Sequence, residues 1–166
     1  MDEKELFARA AKGDRDAFEQ IMRRYRERLA NFAFQILADR EDAVDVAQEV
    51  FVKFYFSPPS QQTNPKAWLY TVARNLAYKK LRKRKLEEKV LRLLSPARNS
   101  SANAEFQVKE LLALLTSRER EVVYLKGIEE FTFEDIAALL EEPVSTVKST
   151  YYRALKKLRG LVEKSK

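Results

Sequence analysis

Residues 131–159 read FTFEDIAALLEEPVSTVKSTYYRALKKLR. Thr132 can cap a short helix over 133–140 whose Ile136, Ala137 and Leu140 share one face. The four residues Glu141 to Val144 then lead into a long helix with Val144, Val147, Tyr151, Ala154, Leu155 and Leu158 as its apolar stripe. Two helices joined by so tight a turn, the second basic and outward-facing, predict a helix-turn-helix. That motif makes the C-terminal portion helical and points it toward duplex DNA.

Upstream, Thr116-x-x-Glu119 forms a capping box before a helix reaching about Lys126, which residues 129–132 break. A further helix is expected over 106–115. Residues 95–104, SPARNSSANA, are small and polar between two apolar segments, the composition of a linker. The expected organisation is therefore a first domain over 1–94, a linker over 95–104 and a second domain over 105–166.

The first domain is helical by the same periodicity. Residues 5–11 make a short helix closed by Gly13, and Asp14 or Asp16 can cap its successor. From Asp16 to Ala38 apolar residues recur at three- and four-residue steps, and a third helix runs from about Arg40 to Phe56 over Ala43, Ala47, Val50, Phe51 and Phe54. Residues 57–65, SPPSQQTNP, hold three prolines and must be an extended loop. A helix resumes at Lys66 with Leu69, Val72, Ala73, Leu76 and Leu81 inward, and turns almost wholly basic after Tyr78.

The 166 residues are 45% hydrophobic and 34% charged, enough for one medium or two small soluble domains. Three Gly leave too few turns for an all-β chain, so the fold class is all-α. Without Cys or His there is no thiol nucleophile, no usual zinc ligand and no His acid–base chemistry. No metal, cofactor or catalytic residue is expected. MDEKELFARAAKGD lacks the pattern of a signal peptide, and no run is long enough to span a bilayer, so a cytoplasmic protein without membrane insertion is expected.

Net charge is +7, and it is clustered. Residues 66–92 sum to +8 and residues 145–166 to +6, so the rest of the chain totals −7. Dense Lys and Arg over 79–89 suit phosphates, whose neutralisation releases counterions. Just upstream, Asn64, Lys66, Trp68, Tyr70, Arg74, Asn75 and Tyr78 mix stacking faces with donors and acceptors, the chemistry that holds an unpaired base. Trp68 and Tyr70 are equally readable as core. On the last helix Ser145, Thr146, Lys148, Ser149, Tyr152, Arg153 and Lys156 can donate to phosphates and base edges. Asp42, Asp45 and Glu49 share one helical face, either a solvated surface or a docking surface. Helical carboxylates without a turning loop do not easily wrap a cation, which weighs against a metal-dependent nuclease.

In order and spacing, AKGDRDAFEQIMRRYRERL, ADREDAVDVAQEVFVKFY, NPKAWLYTVARNLAYKKLRKRK, LTSREREVVYLKGIEEFTFEDIAALL and STVKSTYYRALKKLR together resemble the extracytoplasmic-function (ECF) group of RNA polymerase sigma factors, which retain sigma regions 2 and 4. The resemblance implies a factor that binds core polymerase and directs promoter-specific initiation. It implies that Asp42, Asp45, Gln48, Glu49, Val50 and Phe51 dock on the clamp coiled coil of the polymerase's largest subunit, with further contact to its flap region. Asn64, Lys66, Trp68, Arg74, Asn75, Tyr78, Lys79 and Arg82 would read the −10 element of promoter DNA and trap a flipped base. Ser145, Thr146, Lys148, Ser149, Tyr152, Arg153 and Lys156 would read the −35 element. An anti-sigma factor is a further implied partner.

The chain departs from the family pattern at Glu141, Glu142 and Pro143, where Gly-hydrophobic-Ser is usual, and at Thr150, where Arg is common. A LuxR-type helix-turn-helix regulator binding duplex DNA as a dimer is the alternative, because LTSREREVV, IAALL and TVKSTYYRALKKL resemble that class as well. Against it, the first 90 residues lack the alternating strands of a receiver domain.

Overall fold

The structure is a computed structural model that describes residues 2–94 and 113–164. The described residues are helical with no strand, in two units, residues 1–81 and 82–166. The expected linker at 95–104 and most of the expected helix over 106–115 lie outside the described residues.

In the first unit α1 (Glu3–Ala11), α2 (Arg15–Leu37) and α3 (Arg40–Phe56) pack in sequence, followed by the start of α4 (Pro65–Leu94), which continues beyond residue 81. Each start has a local cause. Asp14 accepts from the Ala17 N–H (3.2 Å) and Asp39 from the Asp42 N–H (2.9 Å), satisfying orphan donors at the starts of α2 and α3. The same backbone bond, with the Arg9 guanidinium beside it, lowers the Asp14 carboxyl below its ordinary value. Asn64 caps α4 through the Ala67 N–H (3.2 Å), one residue before Pro65. Ala38 ends α2 in the left-handed region (φ 52°).

The core of this unit is aromatic. Phe54 is 1% exposed and meets Phe7, Phe18 and Trp68 at ring-centroid distances of 6.1, 5.9 and 5.8 Å, so one ring ties α1, α2 and α4 to α3. Tyr25 is buried, donates to the Glu3 carboxylate and carries the Arg28 guanidinium over its ring at 4.4 Å. Burial, followed by the Glu3 hydrogen bond and charge, pushes its phenol pKa far up. Tyr70, left open between stacking and core, is core: it is fully buried against Phe32 at 5.3 Å. Val72 and Leu81, expected inward, are only half-buried. Phe54→Ala is expected to cost about 3–5 kcal/mol, because four helices lose one shared partner. Urea unfolding followed by fluorescence of Trp68, the chain's single Trp, measures it.

In the second unit α5 (Ser117–Val123) opens on a full capping box. Thr116 Oγ1 accepts from the Glu119 N–H (3.2 Å), and Glu119 Oε1 accepts from the Thr116 N–H (2.8 Å). The α-helix expected to run to Lys126 instead becomes a π-helical turn at Tyr124–Ile128. The Glu129 N–H reaches the Tyr124 carbonyl (3.0 Å) and the Phe131 N–H reaches the Leu125 carbonyl (2.9 Å). The wider turn sends Phe131 into the core at 4% exposure and leaves Ile128 at 64%.

Thr132 caps α6 (Phe133–Leu140) through the Asp135 N–H (3.0 Å). Glu141 then takes the left-handed conformation (φ 56°), and the Pro143 carbonyl starts α7 (Val144–Lys164) by accepting from Thr146 and Val147. α5 and α6 both pack on α7, whose Val147, Thr150 and Ala154 are buried. This is the expected helix-turn-helix.

Candidate polymerase and nucleic-acid interfaces

The acidic face of α3 carries Asp45, Gln48 and Glu49 exposed and Asp42 half-buried. From α4, Lys80 Nζ stands 3.7 Å from Asp42 and 3.6 Å from Asp45, so the acidic face borders the basic helix directly. Phe51 is not displayed: it is 4% exposed and edge-on to Phe18 at 6.4 Å, which makes it the floor beneath this face. The helix repeat had placed it in the buried stripe, and that burial prevails over the expected docking contact.

Beyond Gln48 the same face becomes apolar. Val52, Tyr55 and Phe56 are 53%, 70% and 76% exposed, and with Phe18, Met22 and Arg26 they line a groove of about 330 Å³. Sequence reading assigns none of the three exposed residues to the docking face. Their signal was available, since 48, 52 and 55 continue the helical step along α3.

The expected −10 residues separate into three groups. Asn64 is exposed but serves as the cap of α4, with half-buried Lys66 beside it. Trp68 is half-buried, leaning on Phe54. Farther along, Asn75, Lys79 and Arg82 form one exposed line, and next to it the Arg74 guanidinium lies over the Tyr78 ring at 4.8 Å. At about 1.5 Å per residue the cap and Arg82 are roughly 27 Å apart, so α4 offers an extended track. Such a track suits a strand laid along it.

All seven expected −35 residues of α7 are exposed. Ser149 Oγ donates to the Ser145 carbonyl (3.0 Å), while Lys148 sits over Phe133 (5.8 Å), whose ring also meets Tyr152 at 6.2 Å. On the opposite flank Arg153 Nε donates to Glu119 Oε2 (3.3 Å) and Lys157 Nζ to Glu119 Oε1 (2.7 Å). Glu119 is fully buried. Burial raises its pKa, but the bonds from Lys157, Thr116 and Arg153 together outweigh that and hold it at about 2.

The unusual turn is explained by its neighbours. Arg118 Nε contacts Glu142 Oε1 at 3.1 Å, so one of the two acids is paired within the unit. Thr150 is 3% exposed and donates to the Thr146 carbonyl (2.9 Å), so a position where Arg is common belongs here to the core.

Because the folded pKa of Glu119 lies below the ordinary 4.5, its stabilisation is complete above about pH 4.5 and is lost as pH falls toward 2. With both cationic partners partly exposed, the loss is expected to be about 1–3 kcal/mol, discounted for screening. Circular dichroism melts between pH 7 and about pH 2 measure it. Trp68 lies in the other unit, so the Glu119→Gln substitution should leave its fluorescence transition unchanged. Glu119→Gln should flatten the acid limb.

Among the described residues the helices thus carry an acidic face on α3, a basic face along α4 and a helix-turn-helix with an exposed polar and basic face on α7. Residues 21–87 match the family described as Sigma-70 region 2, and residues 105–158 match Sigma-70, region 4. The ECF RNA polymerase sigma factor EcfG of Rhodopseudomonas palustris is 32% identical, over 81% of this chain and 78% of its own. SigW of Bacillus subtilis is 28% identical over 94% of each. A solved complex of the sigma factor RpoE with the anti-sigma factor NepR from Bartonella quintana contains a similar chain, with TM-score 0.71, 28% identity, and coverage of 88% of this chain and 96% of that one.

The chain belongs to the ECF sigma factors. With both regions matched, these findings give no support to the LuxR-type alternative. Among the described residues no helix is long and apolar enough to cross a membrane.

Proposed function

We propose that this ECF sigma factor docks on the clamp coiled coil of core RNA polymerase through Asp42, Asp45, Gln48 and Glu49. Phe51 supports that face from below. Asn75, Tyr78, Lys79 and Arg82, with Arg74 against Tyr78, hold the opened −10 strand, and the exposed face of α7 enters the major groove at the −35 element. Asn64, Lys66 and half-buried Trp68 line the start of the −10 track, and the second domain has the flap region as its contact.

The observation that carries this reading is the placement of one acidic and two basic exposed faces within the two units that match sigma regions 2 and 4. In this reading residues 1–94 form the domain that docks and reads the −10 element, and residues 105–166 form the domain that reads the −35 element. The polymerase supplies the catalysis; this chain supplies promoter choice and helps nucleate strand opening in the cytoplasm. An anti-sigma factor is its regulatory partner, a reading supported by the similar sigma factor that was solved with one.

Reconstitution with core polymerase and a fragmented genomic DNA library, followed by sequencing of transcript starts, tests the function. Starts preceded by common −10 and −35 segments are expected. Starts distributed as with core enzyme alone would refute it.

A further inference from the structure

Glu119 is a fully buried carboxylate whose two oxygens are shared among three partners drawn from two helices. One partner, the Thr116 N–H, is local. The other two, Arg153 and Lys157, lie 34 and 38 residues away on α7. A capping box alone needs neither of them.

Helical geometry says what the pairing does to the DNA face. At about 100° per residue, Ser145, Ser149, Tyr152 and Lys156 fall within roughly 60° of one another in azimuth, as the central line of α7, whereas Arg153 and Lys157 lie about 80° and 120° round from Ser145, on the α5 flank. A helix in the major groove meets base edges with its central line and the phosphate walls with its flanks. Arg153 keeps 59% of its side chain exposed while its Nε is committed to Glu119, so the outer edge of the guanidinium is presented in one orientation.

We propose that Glu119 is a positioning residue for DNA binding, which fixes Arg153 as a phosphate clamp beside α7 and leaves sequence reading to the Ser145, Ser149, Tyr152 and Lys156 line. This rests on the reading of α7 as the −35 helix, and it revises the expectation that Arg153 reads base edges. Simple charge counting gives the opposite sign for Glu119, since removing an acid near DNA should tighten binding to every sequence.

The test uses the full chain assembled with core polymerase, a duplex carrying the mapped promoter, and the same duplex with its −35 segment scrambled. Arg153→Ala should weaken both duplexes alike, about three- to tenfold, and lower the salt slope by roughly one. Glu119→Gln should likewise weaken both, and combined with Arg153→Ala the loss should fall short of the product of the two single losses. Arg153→Lys keeps the charge but not the guanidinium fork, and should not restore full binding.

Several results overturn the proposal: a changed ratio between the two duplexes in Arg153→Ala, unchanged or tighter binding in Glu119→Gln, multiplying losses, or full restoration by Arg153→Lys. The arms on Arg153 decide even if Glu119→Gln fails to fold. A wild-type holoenzyme indifferent to scrambling would instead remove the −35 reading itself, and this inference with it.

Discussion

Reversing Asp45 and Glu49 to Lys is expected to abolish association with core polymerase while leaving helicity unchanged. Both side chains are exposed, so neither substitution disturbs the packing of α3. Among the described residues the internal contact at stake is Lys80 to Asp45 at 3.6 Å, a partly exposed pair worth at most about 1 kcal/mol. At an interface the sign of a charge weighs far more, because like charges brought together cost several kcal/mol, or roughly two to four decades in affinity. Gel filtration of the variant with core polymerase, beside its circular dichroism spectrum, checks both halves. Wild-type core affinity in the variant would refute the docking assignment.

Replacing Asn75 and Tyr78 with Ala should impair transcription from duplex templates much more than from templates already mismatched across the −10 element. A base stacked on an aromatic ring is worth about 1–3 kcal/mol, which is roughly 5- to 150-fold in the opening step. A mismatched template has already met the cost of unpairing, so the same loss weighs less there. Tyr78 is half-buried beneath the Arg74 guanidinium, so the comparison between templates is what separates base capture from folding. Equal losses on both templates would assign these residues to stability.

How much of this was legible in the sequence depends on range. Asp14, Thr116 and Thr132 announced helix starts, because a cap needs only a side-chain oxygen three residues ahead of an N–H at the edge of an apolar period. The helix-turn-helix and the outward face of α7 followed from the same 3.6-residue repeat. The π-turn at Tyr124–Ile128 left no such mark, since its purpose is to aim Phe131, and that is decided by the partners Phe131 meets.

The sites divide in the same way. Exposed positions such as Asn75 and Ser145 were readable from helical phase, but whether Trp68 or Tyr70 stacks outward depends on Phe54 and Phe32 from other helices. Glu119 was hidden by its own clarity. The capping box already accounted for it, so nothing in the sequence called for Arg153 and Lys157 as well.

The left-handed residue between α6 and α7 bears on how such chains can vary. At φ 56° Glu141 holds a conformation that glycine adopts freely and a β-carbon resists by about 1 kcal/mol, yet the helix-turn-helix closes normally around it, with the Glu142 N–H on the Ala137 carbonyl at 3.0 Å. The bend is therefore imposed by the two packed helices and the Arg118–Glu142 pair, and the residue at its apex only tolerates it. The turn of this chain therefore closes without a glycine at its apex. A pattern that demands glycine there would pass over this chain, although its two helices meet as the motif requires.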